Sequence, residues 1–186
     1  MPDPTDEDLM LAYRAGSAAA FDTLYERHKG RLYRHLLRQC GERPLAEELF
    51  QETWMKLIKA RKRYEPRARF TTWLFHIAHN LLIDHYRRGN PGLPASFDES
   101  TTVDDPPANG RTEPEREAAA RQATGRLLDL IADLPEAQRE AFLMREEGGL
   151  SLEAIAEATG VGRETAKSRL RYAVAALRRG MQEFQP

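Results

Sequence analysis

Basic and aromatic side chains alternate in a short stretch of the chain that could bind single-stranded nucleic acid. Residues 59–70 contain six lysines and arginines in twelve positions, with Tyr64 and Phe70 among them and Trp73 shortly after. Aromatic rings stack on unpaired bases at about 1–3 kcal/mol each, while cations hold the adjoining phosphates. The pattern therefore predicts contact with unpaired bases, although Trp73 fits a place in the core equally well.

The helix predicted after this stretch offers a polar side beside an apolar one. At about 100° per residue, His76, Asn80 and Arg87 project within about 40° of each other, away from the apolar row that begins at Leu74. An exposed asparagine presents a donor and an acceptor, so it can pair with a base edge. We expect this side to continue the nucleic-acid contact.

A second candidate nucleic-acid site is the helix-turn-helix pattern of residues 150–177. A turn that contains Gly160 separates a short predicted helix from a basic one. The second helix has an apolar stripe and a basic side, and arginines in the first turns of such a helix can bind guanine edges or phosphates. A solvated basic face on a structural helix remains the alternative. The basic side contains Arg163, Lys167 and Arg171, with Thr165 and Ser168 near its start.

An acidic and amide face interrupts the otherwise basic first half of the chain. Glu47, Glu48, Gln51 and Glu52 lie opposite the apolar positions of one predicted helix. Spacing alone leaves two interpretations open, a solvated face and a docking surface for a basic partner protein.

The formal net charge of −1 conceals a strong segregation of charge along the chain. Residues 27–88 carry 15 basic and 6 acidic side chains, and residues 163–179 carry 6 and 1. Residues 96–120 carry 2 basic and 7 acidic side chains. Such asymmetry favours contact with nucleic acid despite the near-zero total.

The elements that position these residues are predicted to be helices throughout. Helix starts are expected at Thr5, Ser17, Pro44 and either Thr71 or Thr72. Apolar residues recur with the helical period and no alternating strand pattern is visible. The sequence predicts an all-α fold of two small helical domains joined by an acidic flexible linker, the second domain with a helix-turn-helix.

The expected boundaries are 1–89 for the first domain, 90–112 for the linker and 113–186 for the second domain. The linker region is rich in proline, glycine and acidic residues and has almost nothing apolar to bury. A coil of this length averages about 25–30 Å end to end and stretches to roughly 80 Å.

Composition excludes several other classes of protein. No apolar run is long enough for a transmembrane helix, and the start of the chain lacks the features of a signal peptide, so we expect a cytoplasmic protein. The single cysteine, Cys40, fits a small buried apolar residue. His76 and His79 lack a third metal ligand, so we expect no metal site.

The sequence resembles the extracytoplasmic-function (ECF) sigma factors of bacterial RNA polymerase over nearly its whole length. The first domain carries the resemblance through AEELFQETW at 46–54 and FTTWLFHIAHNLLIDHYRR at 70–88. The second carries it through LP at 134–135, LSLEAIA at 150–156 and TAKSRL at 165–170. His79 and Ala166 depart from the residues common in the family, Arg and Val, which bears on the promoter sequence rather than on the class.

The resemblance implies a role for each group of residues. Core polymerase would bind Glu47, Glu48, Gln51 and Glu52. The −10 element would contact Arg61, Lys62, Arg63, Tyr64, Arg69, Phe70, Thr72, Trp73, His76, Asn80 and Arg87. The −35 element would contact Arg163, Glu164, Thr165, Lys167, Ser168 and Arg171.

The function expected from this resemblance is promoter-specific initiation of transcription, with −10 and −35 recognition and promoter melting. The resemblance also implies no cofactor and no catalytic residues in this chain. The partners would be core RNA polymerase, promoter DNA (duplex at −35, single-stranded at −10) and an anti-sigma factor. A dimeric helix-turn-helix regulator is the main alternative. Two others are weaker: a partner-switching protein would need a receiver domain, and a histidine metalloenzyme would need bound metal.

Overall fold

The computed structural model describes residues 3–89 and 114–184. Over these ranges the chain forms eight α-helices, one 3₁₀ turn and no strand, which confirms the all-α fold. The linker predicted at 90–112 lies outside the described residues.

The helices fall into two groups of four. The first domain contains α1 (Asp6–Arg14), α2 (Ala18–Cys40), α3 (Arg43–Ala60) and α4 (Phe70–Gly89), with the 3₁₀ turn Arg61–Arg63 after α3. The second domain contains α5 (Pro114–Ala132), α6 (Glu136–Glu146), α7 (Leu152–Thr159) and α8 (Arg163–Gln182). None of these helices has the length and hydropathy that crossing a bilayer requires.

Most helix ends lie where local capping residues predict them. The Thr5 hydroxyl accepts a hydrogen bond from the Asp8 amide, and the Asp8 carboxylate accepts one from the Thr5 amide, which completes a capping box. The hydroxyls of Ser17 and Ser151 cap α2 and α7. Gly41 ends α2 with a φ of 72°, a left-handed conformation that favours glycine.

The predicted start of α4 at Thr71 or Thr72 is wrong, because the helix begins at Phe70. The Phe70 amide donates a hydrogen bond of 2.6 Å to the Glu7 carboxylate of α1, so the cap comes from a residue 63 positions earlier. Local sequence gives no sign of so distant a cap.

Each domain has its own apolar centre. That of the second domain is small and lies between α5, α6 and α8. Its buried members are Ile131, Leu134, Leu143, Ala173 and Leu177. The first domain has a larger centre, which includes Leu24, Leu32, Leu36, Leu57, Leu74 and Phe75. Cys40 is buried there as predicted, and burial raises the pKa of its thiol.

The two domains pack directly against each other, which the sequence analysis did not predict. Helix α7 lies on α4, and both α5 and α6 lie on α2. Apolar residues of the second domain, Met144, Leu150 and Ile155 among them, belong to the same continuous cluster as the core of the first domain. The described helices therefore form one body.

Candidate polymerase and nucleic-acid interfaces

Helix α3 presents the predicted acidic face to solvent. Its buried side consists of Ala46, Leu49, Thr53, Trp54 and Leu57. The opposite side is exposed and includes Met55, a large apolar residue at 50% exposure. An acidic rim around an exposed methionine suits docking of a basic protein surface. The exposed polar residues are Glu47, Glu48, Gln51 and Glu52.

Aromatic side chains fix α3 against α2 beside this face. The rings of Tyr33 and Phe50 meet edge to face with centroids 5.8 Å apart, and those of Tyr25 and Trp54 lie 5.0 Å apart. Offset and edge-on aromatic pairs are favourable beyond the area they bury. The acidic face therefore sits on a rigid support, a feature that the spacing of charged residues alone did not indicate.

The basic stretch forms a loop between α3 and α4. Lys62, Arg63 and Arg69 are exposed, as contact with phosphates requires. Arg61 is half-buried, with its guanidinium 5.3 Å from the centre of the Tyr13 ring on α1. Four predicted cations thus lie on one loop, and one of them is oriented by a cation–π contact.

Three of the residues predicted to contact the −10 element, Tyr64, Phe70 and Thr72, are buried in the described structure. Phe70 is fully enclosed and Tyr64 is 3% exposed, and burial is the main reason that the Tyr64 pKa rises to about 12. Thr72 is also buried. The Tyr64 and Trp73 rings pack 4.9 Å apart, so these residues form the floor beneath the loop.

Helix α1 contacts the loop at two points, through residues that sequence analysis missed. Arg14 donates a hydrogen bond of 2.7 Å to the backbone carbonyl of Tyr64, and Glu7 accepts from the Phe70 amide. In the sequence, the acidic first turn of α1 is explained by the helix dipole alone. Glu7 is distinguished from its acidic neighbours only by its contact with Phe70, and the local spacing of residues does not reveal that contact.

The outer side of α4 has the predicted arrangement. Asn80 and Arg87 are exposed, and Trp73 and His76 are half-buried. The His79 side chain lies on another side of α4, where its ring pairs with Glu140 of the second domain. No group of three potential metal ligands occurs in the part of the chain that the structure describes.

Helix α8 exposes its basic side and buries its apolar one. Ala166, Ala173 and Leu177 are buried. Arg163 is held at the start of the helix by ion pairs with Glu153 of α7 and with Glu164. The predicted contacts share an accessible side, with Arg163, Glu164, Thr165, Lys167 and Arg171 exposed and Ser168 half-buried.

The turn before α8 has helix-turn-helix geometry. Gly160 ends α7 with a φ of 67°, and the Val161 amide donates to the Ala156 carbonyl at 3.0 Å. This close reversal lets α8 pack across α7. A surface helix supported in this way can enter the major groove of DNA.

Comparison with known proteins identifies both domains. A family model of Sigma-70 region 2 matches residues 24–91, and one of Sigma-70, region 4 matches residues 124–177. The chain is 31% identical to RNA polymerase sigma factor CarQ of Myxococcus xanthus over 95% of this chain and 97% of CarQ. It is 34% identical to ECF RNA polymerase sigma factor SigL of Mycobacterium tuberculosis over 91% of this chain and 93% of SigL. The chain belongs to the ECF sigma factors of RNA polymerase.

This ECF sigma factor directs transcription initiation, and the alternative of a dimeric regulator is not favoured because both sigma regions match in order.

Solved structures share its fold. CnrH in complex with the cytosolic domain of CnrY has a TM-score of 0.69 at 21% identity, covering 97% of this chain and 99% of CnrH. RpoE from Bartonella quintana in complex with the anti-sigma factor NepR has a TM-score of 0.68 at 22% identity, covering 89% and 98%.

Proposed function

We propose that this sigma factor binds core RNA polymerase through the exposed acidic face of α3 and binds promoter DNA through two basic surfaces. The observation that carries the proposal is this separation of charge onto distinct exposed faces. Opposite charges attract the partner protein and the DNA to different sides of the molecule. The sigma factor acts in the cytoplasm and supplies no catalytic residue, since polymerase itself performs the chemistry.

At the −10 element, the exposed cations of the loop hold the phosphates of the separated strand. Asn80 offers both a donor and an acceptor to a base edge, beside His76 and Arg87. Unstacking a base costs a few kcal/mol, which stacking of that base on the half-buried Trp73 ring offsets. The buried Tyr64, Phe70 and Thr72 shape the site from below.

At the −35 element, α8 enters the major groove of duplex DNA. Lys167 and Arg171 lie on its exposed side and suit base edges or phosphates. Arg163 is also exposed at the start of α8, beside Glu153, and suits contact with a phosphate or a base edge. An anti-sigma factor is the further partner, a proposal supported by the complex of the structurally similar RpoE with NepR.

Run-off transcription with purified core polymerase and a genomic promoter library tests the proposal. We expect initiation from a subset of promoters, strongly reduced by Glu48→Lys on the acidic face. The matched control is Asp22→Lys, the same charge reversal at an exposed position of α2. Failure of the wild-type protein to direct initiation from any promoter, or equal loss in both variants, would contradict the proposal.

A further inference from the structure

The side chain of Tyr172 is a large ring that the fold leaves in water. It is 54% exposed, more than Met55 or Leu127, the two other exposed large apolar residues of the described ranges. The ring also belongs to neither of the two apolar clusters that these ranges form. Its removal therefore leaves the packing of the helix-turn-helix domain intact, and the ring is accessible to a partner.

Tyr172 lies on the same side of α8 as residues that we assign to the −35 element. At about 100° per residue, its side chain projects within about 20° of Thr165 and about 40° of Ser168. The buried stripe of the helix, which contains Ala166 and Leu177, lies about 120–140° away. The tyrosine therefore faces the partner that α8 binds.

Arg171 carries its guanidinium against this ring. The guanidinium carbon lies 5.1 Å from the centre of the Tyr172 ring, which is a cation–π distance. Both side chains are exposed. The two residues form one basic and aromatic surface, so contact of the Arg171 guanidinium with DNA brings the ring to the DNA as well.

The charge around the ring favours DNA as its partner. Residues 163–179 carry 6 basic side chains and 1 acidic one, which suits the phosphate backbone. Met55 is as exposed as Tyr172 to within a few per cent, but it is surrounded by the carboxylates of α3. The two exposed apolar side chains therefore suit partners of opposite charge.

The surface of duplex DNA narrows the contact that an apolar ring can make. Bases in a duplex are stacked on each other, so only their edges are accessible from the major groove. The apolar group on those edges is the C5-methyl group of thymine. Phosphate oxygens, in contrast, suit the tyrosine hydroxyl and leave the ring without a partner.

We infer that Tyr172 is a specificity-determining residue of the −35 site and that its ring contacts the C5-methyl group of a thymine in that element. The inference rests on the proposed function, because it requires α8 to lie in the major groove. It adds recognition of a T·A pair to the contacts of Lys167 and Arg171, whose side chains suit guanine edges or phosphates.

Removal of single methyl groups from a promoter tests the inference. A promoter from which the wild-type holoenzyme initiates is prepared as a set of duplexes, each with deoxyuridine in place of one −35 thymine on either strand. Deoxyuridine pairs as thymine does and lacks only the methyl group. At one position we expect this replacement to weaken binding of the wild-type holoenzyme by about fourfold, the usual effect of exposing one buried methyl group. The same replacement should have no effect on the Tyr172→Ala holoenzyme.

Three further variants provide the controls. Tyr172→Phe keeps the ring without the hydroxyl and should keep the methyl dependence. Thr165→Ser removes the side-chain methyl group nearest to Tyr172 on this side of α8, and Leu127→Ala removes an exposed apolar side chain from α5. Both should respond to deoxyuridine as the wild type does. Urea unfolding should give the wild-type free energy for Tyr172→Ala, because the ring lies outside both clusters.

The results separate this inference from the proposed function. Absence of any methyl-dependent position in the wild-type protein would overturn the inference, while initiation by the same protein would still support the proposed function. Methyl dependence that persists in Tyr172→Ala, or that is lost in Tyr172→Phe or Thr165→Ser, would also overturn it. A wild-type holoenzyme that binds no promoter would overturn the proposed function and the inference together.

Discussion

The carboxylate of Glu7 lies 2.6 Å from the amide nitrogen of Phe70, where α4 begins. A helix N-terminus has unpaired amides and a partial positive charge, so an anionic acceptor there is stabilising. The exposed cations Lys62, Arg63 and Arg69, which we assign to −10 DNA, lie eight, seven and one residues before this amide. Helix α1 thereby sets where the loop ends and where the DNA-binding helix starts.

Glu7→Ala is expected to lower the free energy of unfolding by about 1 kcal/mol, the usual cost of losing a helix cap. Because the loop loses its fixed end, promoter opening at −10 should fall severalfold while binding to core polymerase is unchanged. Permanganate footprinting of unpaired thymines measures the opening. Asp8→Ala is the control, since it removes the capping box of α1 and leaves the Phe70 amide bound. Equal loss of opening in both variants would show that Glu7 acts only through stability.

Asn80→Ala should weaken −10 recognition by about 1–3 kcal/mol, the usual worth of a paired base-edge contact. Its side chain is exposed, so the change leaves the core intact. Gln51→Ala, at an exposed amide on the acidic face of α3, should show the reverse pattern, with weaker polymerase binding and normal opening at saturating polymerase. Fluorescence measurements of core binding and of strand opening distinguish the two. Loss of both activities in Asn80→Ala would remove it from the −10 site.

Acid should destabilise the native fold through His35. Burial lowers the pKa of this histidine from 6.5 to about 4, and this effect outweighs the opposing influence of Glu140 across the interface. Between these values the unfolded chain binds a proton that the native chain does not, so stability falls as pH falls from 6.5 to 4. The full effect is about 3 kcal/mol.

Urea unfolding at several pH values between 4 and 7.5 measures this effect. His35→Phe should flatten the fall in unfolding free energy over that window, since the substituted ring has no proton to gain. His85→Phe makes the same change at a partly exposed position of α4, and we expect the wild-type slope. Parallel slopes for wild type and His35→Phe would exclude His35 as the source.

Local sequence determines much of this structure, and its failures share one cause. Thr5, Ser17 and Gly41 act within one helical turn, so their spacing predicted the helix ends correctly. The hydrogen bond from Phe70 to Glu7 joins positions 63 residues apart, and the ion pairs of Glu147 with Arg34 and Arg38 join positions more than 100 apart. No local sequence pattern predicts either contact.

The aromatic residues of the basic stretch show a second limit. Tyr64 and Phe70 look alike in sequence whether they stack on bases or fill the core, because both roles need large flat apolar rings. Only the tertiary packing distinguishes these roles, and both rings are buried against neighbouring helices.

Arg171→Ala should reduce discrimination at the −35 element by about 1–3 kcal/mol if its guanidinium contacts a base edge. The side chain is exposed on α8, with its guanidinium 5.1 Å from the ring centre of Tyr172. Arg171→Lys distinguishes the two kinds of contact, because lysine keeps the charge and loses the planar fork. If Arg171 contacts a base, the lysine variant loses discrimination as the alanine variant does. Binding of polymerase holoenzyme to promoters with single changes at −35 measures this. Arg179→Ala, which removes the same charge two turns later, should leave discrimination intact, and a matching loss there would indicate a general electrostatic effect.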